Sequence, residues 1–425
     1  MNVSILDFGA VGDGKTLCTE SINKAIDRCA ENGGGRVTVP AGTYLTGTVW
    51  LGSGVELHLE QGAVILGSPD FADYCEDDAY PQNFGVADEE WTGGHLLVAV
   101  GCHDVAITGL GTIDGNSESF FGKASVKHEP WTAYGWREGF RRTKRPGQMI
   151  NFVECERVRV ENVTLQNSPS WCLFLYGSET VNIHGVRIFN LPYNANTDGI
   201  DIDSCRYVTV SDCIIDTGDD AIAVRNGAKR LTDKERVCEY INVSNCVLSA
   251  CACMVRVGVG SGLIRHVRFS NITSKRSGVL ISFCTEYGGK PLTPLDDINF
   301  DGISADDAGA VVRMNGDYGV SAKHLTVQNV RAHSRRGISI TNAVPGAFAD
   351  VTLRNIDIFL IDKPSEITDE IRKMRGDTII EAWNVSDLTL DGVRLFADDE
   401  LRAKWKNVTS FSTCPNLEVK NCRFE

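Results

Sequence analysis

One short phrase recurs along most of the chain: apolar, any residue, apolar, any residue, then Asn, Asp or Gly. It reads Val105-Ala-Ile107 with Gly109, Val158-Arg-Val160 with Asn162, Val181-Asn-Ile183 with Gly185, and Val208-Thr-Val210 with Asp212. It continues through Ile241 to Asn245, Val267 to Asn271, Ile298 to Gly302, Leu325 to Asn329, Val351 to Asn355, Leu388 to Gly392 and Leu417 to Asn421. Alternation with a period of two predicts strands with one buried face. The fifth position holds the residue types that best tolerate a left-handed backbone, so each phrase should bend there. From Asn162 onward these turn residues lie between 23 and 37 positions apart. That interval suits one coil of a solenoid with variable loops and is too long for the turns of a sandwich.

A second series interleaves with the first: Gly199 to Ile202, Ala221 to Val224, Met254 to Val257 and Gly278 to Ile281. Two offset strand series per period predict an all-β fold, a single-stranded parallel β-helix of right hand. Like residues should then stack at the inter-strand spacing of about 4.8 Å. Residues 1–425 read as one such domain. The open end of a solenoid needs a cover. Residues of about 15–33 supply one, because Ile22, Ala25, Ile26 and Cys29 share a helical face and Gly33-Gly34-Gly35 ends it. Two stretches break the rhythm, about 70–94 and about 116–147, the latter with Trp131, Trp136 and a basic run from Arg137 to Arg145. In a solenoid such insertions become loops on one face and wall a groove.

Composition agrees: 42% of residues are apolar, and glycine (42) far outnumbers proline (12), as many tight turns require. A net charge of −14 argues against a nucleic-acid partner. No apolar run is long enough for a membrane span. Fifteen cysteines without a leader-like N-terminus suggest a reducing, cytoplasmic setting. Most of them fall beside strand phrases and read as small buried residues.

Acidic residues gather in two neighbouring coils, in Asn196-Thr-Asp198-Gly-Ile-Asp-Ile-Asp203 and in Asp216-Thr-Gly-Asp219-Asp220. Asp198 and Asp219 are 21 residues apart, close to one coil, so they should stack with Asp220 beside them. Carboxylates this close repel one another, and one should hold a proton, as glycosidic cleavage requires. Spacing alone leaves a Ca²⁺ site or a solvated acidic turn open.

Asn196-Thr-Asp198-Gly followed by Gly218-Asp219-Asp220 resembles the signature of glycoside hydrolase family 28, the polygalacturonase family. The opening Asp7-Phe-Gly-Ala-Val-Gly-Asp13-Gly, Gly111-Thr-Ile-Asp-Gly115 and Asn167-Ser-Pro-Ser-Trp171 are similar to it too. The resemblance implies an inverting hydrolase acting on a pectic or related oligosaccharide, without cofactor or metal. Asp219 would be the acid, and Asp198 and Asp220 would activate water across a wide gap. Substrate-binding candidates are Asn196, Arg225, Arg256, Trp171, Cys253 and Tyr287, with Trp171 as a sugar platform. The sequence departs from the family twice. Cys253 stands where the family has a histidine, a residue that rhamnogalacturonan-cleaving members also lack. Leu280-Ile281-Ser282 replaces the Arg-Ile-Lys that holds a galacturonate carboxylate, which implies that plain polygalacturonate is a poor substrate.

With Ile200, Ile222, Val255 and Ile281 pointing inward, Asp201, Ala223, Arg256 and Leu280 should form one outward column. Asp203, Arg225, Gly258 and Ser282 should form the next. Arg225 would then pair with Asp203, while Arg256 would either neutralise Asp201 or bind substrate. The two insertions suggest a groove closed at one end and exo action. A Ca²⁺-dependent polysaccharide lyase and an inactive sugar-binding β-helix are the alternatives.

Overall fold

The computed structural model describes residues 1–75, 93–121, 145–192, 194, 196–287, 290–291, 293–362 and 377–424. The chain winds into a right-handed parallel β-helix. Each phrase residue pairs with its counterpart one coil away. Val105, Val158, Val181, Val208, Ile241, Val267, Ile298, Leu325, Val351 and Leu388 form one unbroken column of parallel partners. All are buried in a single continuous core.

Every phrase ends where it was expected to. Asn162, Asp212, Asn245, Asn271, Asn329, Asn355 and Asn421 have φ between 50° and 62°, and Gly109, Gly185, Gly302 and Gly392 also have positive φ. Stacked turn residues bond along the axis: Asn271 donates to Asn245 at 2.9 Å and Asn355 to Asn329 at 2.8 Å.

Two series per coil was too few. Immediately after each left-handed turn runs a third, short strand, such as Thr164–Gln166, Arg187–Phe189 and Ile214–Thr217. Three parallel sheets therefore wall the core: the phrase strands, these short strands, and the second series, which includes Leu173–Tyr176, Ile200–Asp203 and Ile222–Asn226. A short strand contributes one inward residue, as Leu165, Ile188 and Ile215 do, so it shows no alternation in sequence.

The helix Thr19–Glu31 caps the first coil, with Ile22, Ala25, Ile26 and Cys29 buried against the strands Gly35–Val39, Val49–Trp50 and Val55–Leu59. The insertions depart from the connection between short strand and second-series strand, after Gly67 and after Asp114. Most of both, with Trp131 and Trp136, lies outside the described residues. Among the described residues no helix is long and apolar enough to cross a membrane.

Two stability outcomes follow. Ile241→Ala removes a fully buried side chain from the column and should lower unfolding free energy by about 2–5 kcal/mol in denaturant titration. Asn271→Ala should cost about 1–2 kcal/mol because alanine resists the left-handed backbone, while Asn271→Gly should cost less.

Candidate active site

The acidic motifs occupy the same connection in consecutive coils, running from short strand to second-series strand. Two glycines let the coils close up. A Cβ on Gly199 would strike the Ala221 carbonyl, and one on Gly218 would strike the Asn194 carbonyl and reach Thr197 Oγ1 at 2.6 Å. With both positions bare, Gly199 N–H donates to the Asp220 carbonyl at 2.9 Å. Asn194 and Thr197 brace the loop, Thr197 Oγ1 donating to the Asn194 carbonyl at 2.8 Å.

Asp198, Asp219 and Asp220 therefore converge. They are 5%, 6% and 3% exposed, and one oxygen from each lies within 4.8 Å of the others. Two full charges at that distance repel by roughly 3 kcal/mol at an effective dielectric of about 20. Asp219 Oδ2 accepts the Asn196 N–H at 3.2 Å. Asp220 Oδ1 accepts the Cys253 N–H at 2.9 Å and Arg256 Nη2 at 3.0 Å, and its Oδ2 is bonded to Arg256 Nε. The gap is narrower than the roughly 6.5–9.5 Å usual between acid and base in inverting enzymes. A water here would be held by a pair of carboxylates rather than in a wide cleft between two.

Several binding candidates take other places than expected. Arg256 is buried and pairs with Asp220, a partner the strand parity did not suggest. Cys253 is fully buried against Val279 and Ala310, so its contribution to the site is its backbone N–H rather than a side chain facing sugar. Trp171 is no open platform. It is buried, its ring lies 4.2 Å from the Arg225 guanidinium, and it packs edge-on to Phe174. Arg225 reaches Asp203 at 3.8 Å as expected, and also Asp201 at 3.6 Å. Burial pushes the Asp203 carboxyl up, against the pull of Arg225 and the Gly227 N–H. Asn196 lies beside the acids with φ 56°. Tyr287 is 43% exposed on a short hairpin with Lys290–Pro291.

The outward columns also need correction. Asp201, Ala223 and Arg256 are followed by Ser282 and Arg313, not by Leu280, and Gly258 is followed by Cys284. Leu280 packs with Ile281 in the main core because the chain turns a corner there and alternation fails. Arg313 escaped the sequence reading, although extending the column one coil through Val311-Val312 would have found it. Arg145, read only as the end of a basic run, donates to the Pro169 carbonyl at 2.6 Å and to Asn196 Oδ1 at 3.2 Å. Arg276, in the connection between the strands Ile264–Ser274 and Ser277–Cys284, pairs with Asp216, and its position there carried no signal.

The remaining motif segments serve the scaffold. Asp114 accepts from Gln166 at 2.7 Å and from Asn167 at 3.0 Å, tying two coils together.

Comparison with known proteins places the chain in a family. A profile of Glycosyl hydrolases family 28 matches residues 29–240. A probable polygalacturonase of Vitis vinifera is 28% identical over 393 residues, covering 86% of this chain and 76% of that protein. An exo-poly-alpha-D-galacturonosidase of Dickeya chrysanthemi is 25% identical over 456 residues, covering 96% and 71%. The family 28 exopolygalacturonase of Yersinia enterocolitica shares the fold, with a TM-score of 0.68 at 20% identity over 100% of this chain and 77% of that one. With the motif spacing matched to a coil-by-coil convergence of its aspartates, the chain belongs to family 28 of the glycosyl hydrolases and is a glycosidase.

Proposed function

We propose that this glycosidase hydrolyses a pectic oligosaccharide with inversion, releasing units from a chain end. The observation that carries the hydrolytic reading is the buried trio of Asp198, Asp219 and Asp220, with oxygens within 4.8 Å, whereas inversion rests on the likeness of the two aspartate motifs to the family signature. Asp219 protonates the leaving oxygen, while Asp198 and Asp220 hold and activate the attacking water. Exo-named and endo-named relatives both occur, so the relatives leave the mode of attack open.

Action from a chain end is supported by the groove floor on the N-terminal side of the acids. There Trp171, Phe174 and Tyr176 are buried in one cluster with Ala228 and Leu231. The 227–237 connection is pinned over them by Tyr176 Oη donating to the Gly227 carbonyl at 2.5 Å. A sugar chain cannot run on across a floor that is already covered.

For the substrate, Leu280 lies in the core and Ser282 is uncharged, so neither supplies a cation for a galacturonate carboxylate. This favours a pectic chain with a neutral residue, such as rhamnose, next to galacturonate. Hydrolysis of plain galacturonan is the second reading, favoured by the names of the relatives. A reducing, cytoplasmic setting is supported by the fifteen cysteines, all free thiols.

Asp219→Asn should lower kcat by about 10²–10⁴-fold with KM little changed, and near-normal turnover would remove Asp219 as the acid. Proton NMR of the first product should show the anomeric configuration opposite to that of the substrate bond; a retained anomer refutes inversion. Exhaustive dialysis against EDTA should leave activity intact, whereas loss restored by Ca²⁺ would point to a metal at the carboxylates. Plain oligogalacturonate should be cleaved roughly 30- to several-thousand-fold less efficiently than a rhamnogalacturonan oligomer, judged by kcat/KM. Equal rates would decide for the second reading.

A further inference from the structure

Three carboxylates crowded within 4.8 Å are not equivalent in their surroundings. Asp219 receives a backbone N–H from its own loop's neighbour, Asn196. Asp220 is gripped from the next coil by a two-point guanidinium fork and a backbone N–H, so both of its oxygens are engaged. The register makes this grip a property of the fold. Arg256 lies beside Ala223, and the small side chain there leaves the guanidinium room to reach back to Asp220, three residues earlier in that coil.

Other charged groups near the trio have carboxylate or backbone partners of their own. Arg225 faces Asp201 and Asp203 and covers Trp171. Arg276 is paired with Asp216 and also donates to Cys251 Sγ at 3.6 Å, a thiol that burial pushes up to about 12. Arg145 reaches the trio through Asn196, which it meets by the side-chain oxygen.

From this arrangement, and resting on the catalytic reading above, we propose that Arg256 is a positioning residue that acts through Asp220. It fixes the orientation of that carboxylate and offsets its charge, so that three acids can share one small space. Arg256 therefore contributes to turnover and not to substrate affinity, although it stands in the column that lines the groove. The planar fork matters because it engages both oxygens at once, which a point charge cannot do.

The test is a double-mutant cycle on the full chain, read as kcat and KM separately. Arg256→Gln should lower kcat at least about 30-fold and change KM less than about threefold. In an Asp220→Asn background the same substitution should lower kcat by no more than about twofold, because the carboxylate it serves is gone. Arg256→Lys, which keeps the charge but not the fork, should fall between wild type and Arg256→Gln in kcat, again at unchanged KM. Should Arg256→Gln fail to fold, as judged by circular dichroism, the lysine variant alone and combined with Asp220→Asn carries the same cycle. Losses that multiply across the two sites overturn the proposal, as does a raised KM at normal kcat, which would make Arg256 a substrate ligand. The two readings fail separately. Turnover surviving in Asp219→Asn sinks the catalytic assignment, whereas an inactive Asp219→Asn with multiplying losses at Arg256 and Asp220 sinks only the clamp.

Discussion

Backbone hydrogen bonding between successive coils, at a rise of about 4.8 Å, is the constraint from which the rest of this structure follows. Each coil must present its donors and acceptors in register with the coil before and after it. Its perimeter and its turns therefore have to repeat, however much the loops vary. The repetition forces like onto like: apolar residues form a continuous column inside, and asparagines form ladders at the turn. Where a coil needs extra chain, it must leave and return at a corner without disturbing the ladder. The long insertions accordingly depart from one kind of connection, the one that also carries the aspartates.

The same stacking that orders the core creates the electrostatic problem at the site. Residues at equivalent positions in consecutive coils are brought together whether or not their charges agree, so two acidic motifs about one coil apart become a crowded trio. The fold answers with cations from neighbouring coils. Arg256 meets Asp220, Arg225 meets Asp201 and Asp203, and Arg276 meets Asp216. Removing one member of such a buried pair leaves the other charge uncompensated, which is why these positions are sensitive in ways that exposed pairs such as Lys24–Glu20 are not.

Backbone strain recurs at a second turn, which Asp or Asn marks in some coils, as at Asp104, Asp297, Asp350, Asp387 and Asn416, and which other residue types occupy in the rest. Arg157, Thr180, Tyr207, Tyr240, His266 and His324 all have positive φ, each at the entrance to a phrase strand. Such a backbone costs roughly 1 kcal/mol or more for residues without a special preference for it. Contacts along the axis offset it: Tyr207, Tyr240 and His266 stack with ring centroids 5.3 and 5.2 Å apart, and His266 bonds to Asp297 at 2.7 Å.

What the sequence determined by itself was whatever depends on local pattern. The alternation of Val158 with Val160 implied a strand with one buried face, Asn162 implied the bend, and the helical face of Ile22, Ala25, Ile26 and Cys29 implied the cap. The 21-residue interval between Asp198 and Asp219 sufficed to stack them, because a regular coil turns sequence distance into position. Tertiary structure decided everything that depends on which coil lies next to which and where corners fall. The short third strands hold one inward residue each and show no period. Leu280 turns inward at a corner where parity breaks, and Trp171 is covered by an arginine from two coils away. Arg256 has a carboxylate partner one coil back that no spacing rule singles out. Local periodicity fixes which face a residue takes, but the partner it meets there is chosen by register between coils, and that is set by the closing of the whole solenoid.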